Sequence, residues 1–178
     1  MAVFQISFDW MMQNEDGPGP PYRYEEVPDP GGDAISGINS AAFPEDFLRI
    51  LNTPQAERGP LVVSFYQAKF WNRWYAQLLF DEVAKRVFDE GVNAGPVTTV
   101  KVLQQAINAT GAASVIVDRT WGPATVAAAN ECAEDELVYC FKQARLARYQ
   151  AIVAANPVDA HYLGTAAKPG PWWIRAMK

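Results

Sequence analysis

The stretch Asn-Glu-Asp-Gly at residues 14–17 lies where an apolar helical pattern gives way to turn-forming residues. Apolar residues at positions 4, 8, 11 and 12 recur at helical spacing and predict a helix over about residues 3–14. Glu15 follows Met11 by four residues and Met12 by three, so a continuing helix places its carboxylate on the buried face. Burial and the negative end of the helix dipole both favour the neutral acid. A carboxylic acid that is neutral near physiological pH suits a general acid that protonates a glycosidic oxygen.

A second acidic residue follows in a turn-rich segment. Residues 15–39 contain five prolines and five glycines, with short extended pieces around 22–27 and 35–38. This composition predicts a small β-hairpin or an irregular loop, because Pro fixes φ and Gly allows positive φ. Asp29, within Val-Pro-Asp-Pro-Gly-Gly at residues 27–32, is the candidate second carboxylate. Asp33 is another candidate base; alternatively, its side chain caps the following turn.

Several polar and aromatic residues are candidates for contacting a ligand. Flat aromatic rings stack on sugar faces, so Tyr22 and Tyr24 could line a groove, although packing under the loop is equally consistent with the pattern. Asp89 and Asn93 are four residues apart in a predicted helix, where they could bind a ligand or form structural hydrogen bonds. The candidate substrate-binding residues are Tyr22, Tyr24, Ser36, Asn39, Asp89 and Asn93.

Most of the remaining chain is predicted to be helical. Pro44 and Pro60 are placed to open helices, Gly111 to end one, and acidic residues fill the first turn of the last long helix. The predicted helices span about residues 3–14, 44–51, 60–80, 83–93, 97–108, 123–130 and 134–155. Without a repeat or a linker, the chain is expected to form one domain over residues 1–178. We divide this domain into about 1–95, which carries the candidate acids, and about 96–178, which packs on it.

Composition excludes several classes of function. A net charge of −5 argues against a nucleic-acid partner, which would require a clustered positive field. No apolar run has the length of a membrane-spanning helix. The N-terminus lacks a basic region followed by an unbroken apolar stretch, so export is expected to use a route other than a conventional signal peptide.

The two cysteines do not suggest a disulfide or a metal site. If Cys132 and Cys140 share one helix, they are separated by about 12 Å along its axis, which is too far for a disulfide. Two buried thiols are therefore expected. One histidine, His161, and no further cysteine argue against zinc, and no metal or organic cofactor is expected.

The ordered motifs resemble glycoside hydrolase family 108, which comprises bacterial and phage muramidases. That family carries Glu-Gly-Gly-Tyr, followed by Asp-Pro-Gly-Gly-x-Thr-x-x-Gly-Ile. The matching residues here are Glu15, Gly17, Asp29, Pro30, Gly31, Gly32, Gly37 and Ile38. The resemblance continues through residues 88–95, 103–107, 118–125 and 145–149 and ends with Trp-Trp-x-Arg at 172–175. It therefore covers nearly the whole chain in order.

The resemblance implies a mainly α, lysozyme-like fold whose C-terminal part resembles a peptidoglycan-binding region. It implies hydrolysis of the β-1,4 bond between N-acetylmuramic acid and N-acetylglucosamine in peptidoglycan, with Glu15 as general acid. A second carboxylate and a hydroxyl on the following β element would hold the attacking water. Asp29 best matches that carboxylate, and Asp33 is the alternative. The expected place of action is the bacterial cell wall, in the periplasm or outside the cell.

Two departures from the family pattern keep other functions open. Glu-Gly-Gly-Tyr is Glu-Asp-Gly-Pro here, and Ala34 stands where the family has Thr. The main alternative is therefore a catalytically silent peptidoglycan-binding or secretion-associated protein with the same fold. A third possibility is an effector that acts on a partner protein, suggested by the acidic charge and by tryptophans near the C-terminus.

Overall fold

The computed structural model describes residues 1–16, 21–27, 32–71 and 75–178. It is mainly helical, with a small antiparallel sheet after the first helix, which confirms the predicted fold class. The helices are α1 (Phe4–Glu15), α2 (Pro44–Leu51), α3 (Gly59–Tyr66), α4 (Asp81–Ala94), α5 (Pro96–Thr110), α6 (Pro123–Glu131), α7 (Glu134–Ala155), α8 (Ala160–Leu163) and α9 (Pro171–Met177). The strands are β1 (Tyr24–Glu25), β2 (Ala34–Ile35) and β3 (Ile38–Asn39).

Helix α1 lies close to the predicted bounds and packs against α4. Phe8 and Met11 are buried on its inner face. At its start, the Val3 backbone N–H donates to Asp81 Oδ1 at 2.6 Å, which ties the beginning of α1 to the first residue of α4. These contacts place the C-terminal end of α1, including Glu15, beside the middle of α4.

The sheet contains the predicted hairpin. Strand β2 pairs antiparallel with both β1 and β3, and Ile35 pairs with Ile38 across the β2–β3 turn. The two turn residues, Ser36 and Gly37, both have positive φ, at 51° and 78°. Positive φ at both positions favours the right-handed strand twist that short hairpins require. The predicted extended piece at 35–38 is therefore two strand ends joined by a tight turn.

The predicted long helix over residues 60–80 is wrong. Helix α3 ends at Tyr66 and is followed by a π-helical turn over Gln67–Trp71, and a 3₁₀ turn covers Tyr75–Gln77. Hydrogen bonds in a π turn join residues five apart rather than four. Phe65 at the end of α3 and Phe70 in the π turn lie close together, with ring centroids 5.9 Å apart. Because apolar residues occur on nearly every face of the predicted helix, the sequence pattern does not distinguish its α-helical part from its π-helical part.

The later helices follow their predicted bounds closely. Helices α2 and α7 begin and end where the sequence predicts, and Gly111 has the left-handed conformation of a C-cap, with φ of 72°. Helix α7 packs along α5 and against α9. The division near residue 95 stays a prediction.

The segment after α7 adds short helices that the sequence did not predict. A 3₁₀ turn over Pro157–Asp159 leads into α8, and α9 then packs on α7. Trp172 stacks between Tyr149 of α7 and Tyr162 of α8, with ring centroids 5.1 Å from each. This packing places α9 beside the C-terminal end of α1.

Cys132 and Cys140 are both free and buried, as expected, although Cys132 lies at the end of α6 and Cys140 within α7. Among the described residues, we find no helix with both the length and the apolar character needed to cross a membrane.

Candidate active site

Glu15 is the last residue of α1, where the buried face of the helix meets the sheet. Met11, one turn earlier, is fully buried, while the Glu15 side chain retains 15% of its exposure. The backbone N–H of Asp16 donates to the Met12 carbonyl at 2.9 Å and closes the last helical turn. The carboxyl group is therefore largely desolvated but still reachable from solvent.

The Glu15 carboxyl rests against the backbone of the β2–β3 turn. A Cβ atom at Gly37 would lie 2.6 Å from Glu15 Oε2 and 2.9 Å from the Tyr66 hydroxyl oxygen. Positive φ and this close approach both require glycine at position 37. The Gly-Ile pair noted in the sequence thus allows direct contact between the turn and the candidate acid.

Tyr66 supports the other side of this turn. Its hydroxyl donates to the Ser36 carbonyl oxygen at 2.6 Å, and its side chain is almost fully buried. Burial and the nearby carboxylates of Glu15 and Asp16 raise the pKa of Tyr66 well above its usual value, so the phenol remains protonated. No local pattern in the sequence marked Tyr66 as part of the site.

Arg175 of α9 reaches the opposite side of Glu15. Its Nη2 donates to Glu15 Oε1 and also to Asp89 Oδ1, at 2.8 Å, while its Nε donates to Asp89 Oδ2 at 3.1 Å. Asn14 Nδ2 donates to Asp89 Oδ1 at 2.9 Å. One guanidinium therefore joins the candidate acid to a buried carboxylate. The closing Trp-Trp-x-Arg stretch was the only sequence signal for Arg175.

The pKa values of these two carboxyl groups shift in opposite directions. Burial raises the pKa of Glu15 above its usual 4.5, against the lowering effect of Arg175 and with a smaller raising effect from Asp89. Burial also acts to raise the pKa of Asp89, but Arg145 and Arg175 outweigh it and hold that pKa below its usual 3.8. Glu15 is therefore the group suited to carry a proton, and Asp89 the group suited to remain charged.

Asp89 belongs to a buried ionic network. Arg145 Nη2 lies 2.5 Å from Asp89 Oδ2, and the Nε atoms of Arg145 and Arg148 lie 2.6 and 2.7 Å from the carboxylate of Glu90. The contacts with Glu90 are close ion pairs rather than well-directed hydrogen bonds. Asp89 and Glu90 have no exposed surface, so they bind these arginines and not a ligand. Both arginines therefore bind acidic groups within the fold.

Asn93 lies one turn further along α4 and is exposed. Its Oδ1 accepts hydrogen bonds from the Tyr149 hydroxyl at 2.9 Å and from Arg148 Nη2 at 3.1 Å. It lines a groove of about 490 Å³ that borders Arg175, and the full lining is Gln13, Asn14, Asn93, Tyr162, Pro171, Trp172, Ile174 and Arg175. The two residues predicted as a pair thus differ, since Asn93 reaches a groove and Asp89 does not.

The candidate base Asp33 lies just before β2 and is partly exposed. Its Oδ2 accepts a hydrogen bond from the Tyr24 hydroxyl at 2.6 Å. That hydrogen bond is the main cause of a raised pKa for Tyr24. Asp29 lies outside the described residues.

The remaining candidates form bonds within the loop. The Ser36 hydroxyl, which is buried, donates to Asp16 Oδ1 at 2.6 Å. Tyr22 is half-buried against Gly59, and its carbonyl accepts from Arg58 Nη1 at 2.9 Å. Asn39 Oδ1 accepts from the Ala42 backbone N–H at 2.8 Å. These side chains build the loop beside Glu15.

Comparison with known proteins identifies a glycosyl hydrolase domain in this chain. Residues 8–95, which include most of α1, the sheet, α4 and Glu15, match the family described as Glycosyl hydrolase 108. Residues 8–95 therefore form a glycosyl hydrolase family 108 domain. No curated protein matches the chain.

The fold is also found in a solved structure. The chain is similar to the structure of Brucella abortus SagA, with a TM-score of 0.61 and 23% sequence identity. The match covers 88% of this chain and 87% of SagA. It extends beyond the family-matched segment, so the similarity in fold includes much of the helical C-terminal part.

Proposed function

We propose that this chain is a muramidase that cleaves the β-1,4 bond between N-acetylmuramic acid and N-acetylglucosamine in peptidoglycan. Membership of residues 8–95 in a glycosyl hydrolase family supports the reaction class. The observation that carries the proposal is the Glu15 carboxyl, which is packed against Gly37 and has a pKa raised by burial. The expected place of action is the bacterial cell wall, in the periplasm or outside the cell.

Glu15 acts as the general acid. It donates its proton to the glycosidic oxygen as the bond from that oxygen to the anomeric carbon breaks. The resulting Glu15 carboxylate is stabilised by Arg175, which already donates a hydrogen bond to Oε1. Water attacks the anomeric carbon and loses a proton to a second carboxylate.

Asp29 is the second carboxylate implied by the sequence, and Asp33 is the alternative. Asp33 is partly exposed, so water can reach its carboxylate. The hydrogen bond from the Tyr24 hydroxyl to Oδ2 holds that carboxylate in place. The Ser36 hydroxyl is buried and donates to Asp16, so we do not assign it to the attacking water.

The test is the release of reducing ends from purified peptidoglycan by wild type and by Glu15→Gln. This change keeps the shape of the side chain and removes the acidic proton. We expect a loss of at least about a hundredfold in kcat, because the proton donor is removed. Glu57→Gln, at an exposed position, is the matched control and should retain full activity. Activity that survives in Glu15→Gln would contradict the assignment of the acid.

A catalytically silent peptidoglycan-binding protein is the second candidate. The observation that favours it is the direct hydrogen bond from Arg175 to Glu15. The positively charged guanidinium stabilises the ionised form of Glu15, which has no proton to donate. Sedimentation of the protein with purified sacculi, without new reducing ends between pH 4 and pH 8, would identify this function. In that case Glu15→Gln should leave the bound fraction unchanged.

A further inference from the structure

Asp16 directly follows the candidate acid, and both oxygens of its carboxylate are bound within the loop. Oδ1 accepts a hydrogen bond from the Ser36 hydroxyl at 2.6 Å. Oδ2 accepts from the Tyr22 backbone N–H at 3.0 Å. The proposed reaction uses neither oxygen, so these contacts point to a role other than proton transfer.

Ser36 is held from two sides. Its hydroxyl is bound to Asp16, at the end of α1, and its carbonyl accepts from the hydroxyl of Tyr66, at the end of α3. Ser36 also has a φ of 51°, a conformation that residues with a Cβ adopt only when their surroundings impose it. The two hydrogen bonds supply that constraint.

The next residue in the turn is Gly37, against which the Glu15 carboxyl rests. The position for a Gly37 Cβ is 2.6 Å from Glu15 Oε2, so there is no room for water between the turn and this oxygen. Displacement of Ser36 moves Gly37 with it. Any such displacement therefore changes the solvation of Glu15.

We propose that Asp16 is a positioning residue that, through Ser36, holds the β2–β3 turn against Glu15 and keeps the general acid desolvated. The effect on reaction rate rests on the proposed function of Glu15. The effect on the environment of Glu15 does not depend on that function.

Charged and titratable groups face Glu15 from each element packed against it. They are Asp16 on its own chain segment, Tyr66 from α3, Asp89 from α4, Arg145 from α7 and Arg175 from α9. Burial is the largest influence on the pKa of Glu15, so admitting water lowers this pKa towards 4.5. Removing the charge of Asp16 acts in the same direction. Ser36→Ala separates the two causes, because it breaks the contact and leaves every charge in place.

The experiment compares Asp16→Ala, Ser36→Ala and the double variant, with Ser114→Ala at an exposed distant position as the control. We expect each single variant to lower kcat by about tenfold or more with KM within about twofold, because the acid is misplaced while the groove is retained. The double variant should be no worse than Asp16→Ala, because both changes break the same contact. Asp16→Asn, which keeps the acceptor for Ser36, should recover part of the activity.

A direct titration of Glu15 by ¹³C NMR accompanies the kinetics. In Ser36→Ala the pKa of Glu15 should fall, and the alkaline limb of the kcat profile should move to lower pH by the same amount. An unchanged Glu15 pKa in a folded Ser36→Ala protein overturns the inference, as do additive losses in the double variant. An inactive wild type overturns the proposed function instead, and the NMR titration then decides the role of Asp16 alone.

Discussion

Glu15 has a raised pKa although Arg175 lies against it, because the loss of hydration on burial outweighs the attraction of the guanidinium. A general acid must be protonated at the start of the reaction. The rate of the proposed reaction should therefore fall as pH rises through the pKa of Glu15, which lies above 4.5. Arg175 lowers that pKa and so sets the upper pH limit of activity.

Replacing Arg175 should move this limit. In Arg175→Met the lowering influence on Glu15 is lost, so the pKa of Glu15 rises and the alkaline limb of kcat/KM moves to higher pH. Arg49→Met, at an exposed ion pair on α2, is the control and should leave the profile in place. The measurement is the pH dependence of peptidoglycan cleavage. An alkaline limb that stays fixed, or moves to lower pH, would count against this role for Arg175.

Gly37 provides a second test at the scale of single residues. In Gly37→Ala the new methyl group meets both Glu15 Oε2 and the Tyr66 hydroxyl, and positive φ adds strain. We expect a loss of activity and a decrease of about 2–4 kcal/mol in the free energy of unfolding.

Gly111→Ala is its matched control, because Gly111 also has positive φ but, apart from its chain neighbours, none of the described residues comes within 4 Å of the new Cβ. It should cost only about 1 kcal/mol and leave activity intact. If Gly37→Ala and Gly111→Ala had equal effects on unfolding and on activity, the contact between Gly37 and Glu15 would contribute to neither property.

At the scale of elements, the position of α9 decides whether Arg175 reaches Glu15. Helix α9 is short, and it is held on α7 by the small apolar cluster of Leu146, Tyr149, Leu163 and Ala176. Trp172 adds the stacked contacts with Tyr149 and Tyr162. Isolated helices of this length are unstable in water, so packing holds α9 in place.

Removing the central ring of this stack should therefore release α9. In Trp172→Ala we expect faster amide exchange over Pro171–Met177 and a loss of about 3 kcal/mol in stability. Val158→Ala, at an exposed position, is the control for hydrogen exchange. Unchanged exchange in α9 would contradict the anchoring role of Trp172.

At the scale of the whole molecule, buried charges connect elements that are distant in sequence. Asp89 of α4 binds Arg145 of α7 and Arg175 of α9, while Glu90 binds Arg145 and Arg148. Buried ions are costly unless they are paired, so removing one partner leaves an uncompensated charge. The network thereby couples the stability of the fold to the geometry beside Glu15.

Arg145→Met tests this coupling. It leaves two buried carboxylates with fewer partners, so the free energy of unfolding should fall by about 3–5 kcal/mol at neutral pH. Wild-type Asp89 has a lowered pKa, so its contribution is present above pH 3.8 and is lost as pH falls through its folded-state pKa. The deficit of the variant should therefore shrink on acidification.

Denaturant unfolding of both proteins between pH 3 and pH 7 measures this difference. Lys69→Met, at an exposed residue that pairs with Asp46, serves as the control and should follow wild type across the range. A deficit that is constant with pH would mean that the lost contacts are not electrostatic.

Neighbouring residues were enough to predict much of the fold. Helical spacing predicted α1, and Pro44 and Gly111 correctly indicated the start of α2 and the end of α5. The same local reasoning failed over residues 60–80, because apolar residues on every face do not distinguish an α from a π turn. It also missed α8 and α9, because short helices are stabilised by packing that local sequence does not encode.

The sequence by itself determined the family resemblance, the mainly helical fold and the position of Glu15 at a buried helix end. Each depends on the order of neighbouring residues. Tertiary structure alone decided that Arg175, 160 residues away, binds Glu15 and that Asp16 holds Ser36. It also decided that Asp89 is an internal ion-pair partner without an exposed surface. These contacts depend on the packing of α1, α4, α7, α9 and the hairpin, and charge–charge distances follow from that packing rather than from sequence spacing.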